Sequence, residues 1–154
     1  FNTRPYESLG LSQEKTSSDT TIDWNSSWFA GFCDADGHLR IHTPNRPHRK
    51  TIEVRLLCQV DQKRDLLLKQ MKSKFGGYLG YRQSQDTFYY SSVSFKGMYG
   101  VLKYFDRYSP QYTQAYLRYT ILRKSYLIVQ KKQHLTTEGL EQILQYKQNL
   151  KDMI

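Results

Sequence analysis

Residues 28–37, WFAGFCDADG, constrain this chain more than any other stretch. Trp28, Phe29, Phe32 and Cys33 recur at helical spacing and form an apolar stripe. Asp23, Asn25 and Ser26 supply N-cap side chains for a helix beginning near residue 25. Gly37 suits a C′ position with positive φ that ends it. Gly31 inside the helix costs about 1 kcal/mol relative to Ala, so it needs a reason. A missing side chain admits another backbone, and a helix–helix contact supplies that reason. Asp34 and Asp36 are poorly placed for the helix itself, because negative charge at a C-terminus opposes the macrodipole. A bound divalent cation relieves that cost, and carboxylate oxygens suit hard Mg²⁺ or Ca²⁺. On the residues alone, Asp-x-Asp-Gly also reads as a solvated turn closing a core helix.

The rest of the 154-residue chain alternates strands and helices. Residues 38–43 alternate, with Leu39 and Ile41 on one side and His38, Arg40 and His42 on the other. A basic turn, PNRPHRK, follows at 44–50. Residues 51–60 alternate again, Ile52, Val54, Leu56, Cys58 and Val60 opposing Thr51, Glu53, Arg55, Leu57 and Gln59. The pair forms a hairpin. Asp61 caps a helix over 62–75, ended by Gly76 and Gly77. Strands are expected near 78–82 and 87–95, a short helix at 96–104, and a long one from Ser109 and Pro110 to about 133. In the long helix Tyr119, Leu122, Tyr126 and Val129 repeat at helical spacing. Thr136 opens a last helix running to about 153, with Glu138 one residue early for a strict capping box.

Length favours one domain. Residues 1–22 are polar, with Pro5, Gly10 and SSDTT at 17–21, and read as an arm or linker ahead of a domain at 23–154. A frayed terminus is the alternative. The chain begins with Phe1 and reads as a processed product or one part of a longer polypeptide. The net charge is +9, from 23 Lys and Arg against 14 Asp and Glu. That balance favours polyanionic partners: DNA, RNA or an acidic membrane surface. No apolar run is long enough to span a membrane. Cys33 and Cys58 fall in apolar segments without disulfide or zinc spacing, which points to buried thiols in a reducing compartment.

Residues 29–37, FAGFCDADG, closely resemble the LAGLIDADG motif of homing endonucleases and intron maturases. The resemblance extends over about 24–150 through CQVDQK, KFGGYLGYR and HLTTEGLEQI. It implies an α+β LAGLIDADG fold: an antiparallel four-stranded saddle sheet with helices packed on one face, in the order αββαββα plus C-terminal helices. It implies that two motif helices pair through small residues, here Ala30 and Gly31, with Asp34 at the seam. Asp36 then carries the metal role, the Ala35 carbonyl is a further ligand, and Gln62 helps order solvent at the cleavage centre. The cofactor implied is Mg²⁺, with Ca²⁺ or Mn²⁺ as possible substitutes.

On such a sheet the free face carries the nucleic acid. His38, Arg40, His42, Arg55, Gln59 and Arg82 are expected there, joined by Tyr90 and Ser92. Arg46, Arg49 and Lys50 of the basic turn, with Lys72 and Lys74, are candidates for phosphates. The basic residue that the resemblance expects before the long helix is absent from residues 110–114, PQYTQ. Two functions follow. One is a divalent-metal-dependent, sequence-specific endonuclease on double-stranded DNA, acting as a homodimer or with a second LAGLIDADG half. The other is an RNA-binding maturase, or a non-catalytic component of an RNA–protein assembly. The C-terminal stretch is similar to that of organellar intron-encoded members, mitochondrial before chloroplast.

Overall fold

The computed structural model describes residues 21–44, 52–92 and 94–153. The arm expected over 1–22 falls outside them except for its last two residues, as do Arg46, Arg49, Lys50 and Thr51. The elements are α1 (Trp28–Asp36), β1 (Gly37–His42), β2 (Arg55–Gln62), α2 (Leu66–Phe75), β3 (Tyr78–Arg82), β4 (Thr87–Ser91), α3 (Phe95–Arg107), α4 (Thr113–Gln130) and α5 (Thr137–Asp152), with 3₁₀ turns at Gln83–Gln85 and Gln133–Leu135. The four strands form one sheet in the order β1-β2-β4-β3. All its pairings are antiparallel. This is the α+β architecture that the resemblance implied.

Burial follows the strand alternation. Ile41, Leu56, Cys58, Val60 and Tyr90 point into the core, where they meet Phe29 and Phe32 of α1, Leu68 and Met71 of α2, Met98, Val101 and Phe105 of α3, Leu122 of α4 and Ile143 of α5. On the opposite phase His38, Arg40, His42, Arg55 and Asp61 are exposed, and Leu57, Gln59, Arg82 and Tyr89 are half-buried. Helices therefore cover one face and leave the other open. Ile22 is 5% exposed and belongs to this core, and its N–H donates to Gln70 Oε1 at 2.6 Å.

The start of α1 differs from the sequence expectation. Its N-cap is Ser27, which makes no side-chain capping bond. Asp23 and Ser26 fold the preceding turn instead. Asp23 Oδ1 accepts from Asn25 N–H, and Ser26 Oγ accepts from Trp28 N–H at 3.3 Å. The capping that reaches into the helix comes from α3. Tyr104 Oη accepts the buried Ala30 N–H at 3.0 Å and donates to the Ser26 carbonyl at 2.7 Å. One hydroxyl thus satisfies a donor of the first turn that has no helical partner.

The other end of α1 also corrects the expectation. Gly37 is not left-handed: with φ −86° and ψ 148° it is already strand. Space selects the glycine, because a Cβ there would meet the Cys33 carbonyl oxygen at 2.9 Å. Positive φ is required at Gly77, φ 104°, where a Cβ would meet the Ser91 carbonyl oxygen at 2.7 Å.

Other boundaries shifted for identifiable reasons. β2 runs on to Gln62, so Asp61 is a strand residue and the N-cap of α2 is Asp65. α4 begins at Thr113, after Pro110. Thr136 does cap α5, its Oγ1 accepting from Gly139 N–H at 3.0 Å.

Two outcomes test this account. Tyr104→Phe leaves the Ala30 N–H buried and unpaired, which costs about 1–3 kcal/mol; urea unfolding should show a lowered midpoint with an unchanged slope. Cys58 is buried and its thiol is pushed by burial from an ordinary value of 9.0 up to about 12. A group whose pKa rises on folding loses its stabilising contribution as pH climbs above the unfolded value. Stability should therefore fall between about pH 9 and pH 12, and less steeply in Cys58→Ala, as measured by urea titration across that range.

Candidate active site and nucleic-acid interface

The two aspartates of the motif stand one residue apart and do different work. Asp36 is the last residue of α1 and lies where the helix turns into β1. The hairpin register pairs Gly37 with Val60. This sets Gln62, two residues further along β2, beside the acid. Gln62 Nε2 donates to Asp36 Oδ2 at 3.1 Å. Asp36 is half-buried, and among the described residues no Lys or Arg ion-pairs with it. Its charge is steadied by a neutral amide at a helix end that disfavours anions. Such an oxygen set suits a hard cation. Ala35 is exposed, and its carbonyl belongs to the last helical turn, which has no intrahelical donors of its own. No group of three or more His, Cys, Asp or Glu among the described residues is arranged to hold a metal. A cation at Asp36 would complete its shell from water, phosphate or another chain, which is the usual habit of Mg²⁺.

Asp34 turns back into its own chain. Its Oδ2 accepts from the backbone N–H groups of Gln111 at 3.1 Å and Tyr112 at 3.4 Å. These residues lead into α4, so the carboxylate sits where the helix dipole favours it. The other oxygen, Oδ1, is buried without a hydrogen-bond partner. Expected at a seam between two motif helices, Asp34 makes its ordering contacts within this chain, to the start of α4.

Ala30 is corrected. It is 2% exposed, packed inside this chain and bonded to Tyr104. Trp28, Gly31 and Ala35 are the exposed residues at helical spacing on α1. A Cβ at Gly31 would meet nothing within 4 Å.

On the open face the structure brings together His38, Arg40, His42, Arg55, Gln59 and Arg82. His38 pairs with Gln59, Arg40 with Leu57, and His42 with Arg55 across β1 and β2. Several of these side chains are already engaged. Arg40 Nη1 donates to Gln59 Oε1 at 3.0 Å. Arg55 ion-pairs with Glu53 at 2.7 Å, and Arg82 with Asp61 at 2.9 Å.

Tyr90 and Ser92 are not on this face; both are 0% exposed. β4 runs in the opposite phase to the one expected. Tyr90 pairs with Val60 and Leu79 and donates its hydroxyl to the Gly76 carbonyl at 2.6 Å. Its neighbour Tyr89 takes the outer position opposite Asp61, with the Arg82 guanidinium 4.2 Å above its ring. In Phe88-Tyr89-Tyr90 every residue is aromatic, so alternation carried no phase. Lys72 and Lys74 close α2 on the helical side of the sheet, and Lys74 lies over the Trp24 ring; neither reaches the open face.

The sequence reading missed three cations. Arg118 of α4 and Lys147 and Lys151 of α5 join His38, Arg40, Gln59, Asp61 and Arg82 around a cleft of about 500 Å³ along the outer edge of β1. The four-residue spacing of Lys147 and Lys151 was visible in the sequence, but nothing local showed that α5 ends beside β1. Among the described residues no helix is long and apolar enough to cross a membrane.

Known proteins share this arrangement. The sequence model described as LAGLIDADG endonuclease matches residues 29–126. An uncharacterized cox1 intron-2 protein of 37.2 kDa from Schizosaccharomyces pombe is 49% identical over 119 residues, covering 77% of this chain and 36% of its own length. I-SmaMI, solved on uncleaved DNA in the presence of calcium ions, superposes with a TM-score of 0.73 at 26% identity, over 85% of this chain and 46% of its own. I-SmaMI is also solved as a LAGLIDADG homing endonuclease bound to cleaved DNA, with a TM-score of 0.72 at 28% identity, over 82% of this chain and 43% of its own. The archaeal intron-encoded homing endonuclease I-Vdi141I, in complex with DNA, shares the fold at a TM-score of 0.73 and 16% identity, over 82% of both chains. This chain thus spans about a third of the yeast relative and under half of I-SmaMI. From the match over residues 29–126, the chain belongs to the LAGLIDADG endonuclease family.

Proposed function

We propose that this chain is one half of a sequence-specific, divalent-metal-dependent endonuclease that cuts double-stranded DNA. The observation that carries the reading is Asp36: a half-buried carboxylate at a helix tip, held by Gln62 at 3.1 Å and free of any paired cation among the described residues. It opens beside a sheet face bearing Arg40, Gln59 and Arg82. Asp36 and the Ala35 carbonyl would hold Mg²⁺, with Ca²⁺ or Mn²⁺ as substitutes. The metal, when bound, polarises the scissile phosphate and activates water. Gln62 fixes the orientation of the Asp36 carboxylate and presents its amide to solvent at the same point. Asp34 fixes α4 against α1 and so sets the position of the tip. The sheet reads base edges through Arg40 and Gln59, a pair suited to G and A. DNA-bound I-SmaMI and I-Vdi141I support the substrate class. The likeness to a cox1 intron-2 protein supports an intron-encoded, mitochondrial origin.

Cutting both strands takes two such tips, and the chain has one motif. The exposed stripe Trp28, Gly31 and Ala35 is the surface on which a second LAGLIDADG half, identical or not, packs. A second reading keeps the fold and drops the chemistry: an RNA-binding maturase or non-catalytic component. It is favoured by residues 110–114, where no cation stands and the Gln111 and Tyr112 backbone is bound to Asp34.

The decisive experiment selects a duplex from a randomised library with the wild-type chain, then compares Asp36→Asn on it. In Ca²⁺ the variant should bind within about threefold of wild type. In Mg²⁺ its cleavage should fall at least about 100-fold, the scale of losing a preorganised charge stabiliser. Equal cutting by both overturns the nuclease reading, and preference for structured RNA with no nicking of any duplex establishes the second one. For pairing, Gly31→Leu should raise the thermal stability of the single chain, because Leu is the better helix former by up to about 1 kcal/mol. It should also abolish a species near twice 18.3 kDa in sedimentation of the wild type. A wild-type mass that Gly31→Leu leaves unchanged excludes self-pairing along this stripe.

A further inference from the structure

The cleft of about 500 Å³ beyond β1 is not accounted for by the open sheet face alone. β1 is an edge strand, and its outer side is walled by α4 and α5. Two contacts fix that wall. Lys147 Nζ donates to Thr43 Oγ1 at 2.7 Å, just past the end of β1. Arg118 Nη2 donates to the Met153 carbonyl at 3.1 Å. Lys151 lies one turn beyond Lys147 on the same face of α5 and is exposed. The carboxylate that lines the cleft, Asp61, is already paired with Arg82. On the neighbouring surface, Asp152 is engaged by Gln148. The wall is therefore strongly positive, and it adjoins His38, Arg40 and Gln59, which belong both to the cleft and to the open face.

We propose that this wall is a phosphate-binding rim. Lys147 and Lys151, backed by Arg118, engage the sugar–phosphate backbone of the same DNA duplex whose base edges face the sheet. The inference rests on the DNA-binding reading above and adds a contact surface outside the sheet. Continuity with the open face selects a duplex backbone over a free phosphate. The density of positive charge selects it over a strand-adding peptide, which would need apolar pockets. Contacts of this kind hold register and affinity and carry no sequence information.

The test measures equilibrium binding of the full chain to its selected duplex and to a random duplex across 50–200 mM salt. Each lost phosphate contact lowers the log–log salt slope by about 1. Lys147→Gln combined with Lys151→Gln should reduce the slope by about 2, with equal affinity losses on both duplexes. Lys151→Gln alone should reduce it by about 1 and leave the melting temperature unchanged. Thr43→Val keeps both charges while removing the tie of Lys147 to β1, and its slope should match wild type. An unchanged slope in the lysine variants, a loss confined to the selected sequence, or a Thr43→Val effect equal to the double variant overturns the rim and leaves the DNA reading standing. Absence of salt-dependent duplex binding by wild type removes both.

Discussion

A nine-residue helix has no business being stable on its own, since nucleation is costly and segments this short are marginal in water. α1 also ends in two aspartates, against its own dipole. It exists because the Tyr104 hydroxyl is wedged at its first turn, accepting from Ala30 and donating to Ser26. Phe29 then buries beneath it against Phe75, Tyr104 and Phe105, and Phe32 buries beside Phe29. That wedge matters to the tip, because the height and angle of α1 decide where the Asp36 carboxylate emerges at the sheet.

From that fixed helix the two acids diverge by geometry alone. Residues two apart on a helix point about 200° around its axis, so they cannot share a face. One turns toward α4 and offsets the partial positive charge of that helix's N-terminus. The other reaches the seam between β1 and β2, where the strand register has delivered Gln62. A single substitution pattern in the motif therefore yields one structural acid and one available acid. Each helps the other: Asp34 anchors α4, and α4 helps close the core under α1.

Much of this was legible beforehand, and the failures share a physical cause. Strand faces with clear alternation, such as 38–42 and 55–60, were placed correctly because one phase is wholly apolar and the other is polar apart from Leu57. β4 failed because Phe88, Tyr89 and Tyr90 are all aromatic, and the phase was settled by a hydroxyl reaching the Gly76 carbonyl below the sheet. The resemblance marked Gln62 as a residue of the cleavage centre, but its bond to Asp36 came only with the β1–β2 register. Capping by Tyr104 was not, because 74 residues separate it from Ala30 and nearer Asp, Asn and Ser side chains gave a sufficient local explanation. The cations of α5 stayed hidden for the same reason: helical spacing shows which residues share a face but not what that face adjoins.

The glycines of the motif make the last distinction. Gly37 is dictated from within, since its own helix leaves no space for a Cβ. Gly31 is not: a Cβ there would point into open space, and Gly lowers helix stability by about 1 kcal/mol relative to Ala. The pairing proposed above gives that glycine its reason, the close approach of a second helix. Trp28 and Ala35 flank it on the same exposed stripe, with the Trp28 ring stacked on Phe32 at 5.6 Å and held in place. On the same proposed pairing, this exposed stripe is the surface on which another helix would pack at close range. Such a helix, arriving with an acid at its own tip, would set a second carboxylate near Asp36 and supply the ligands that a single chain leaves missing.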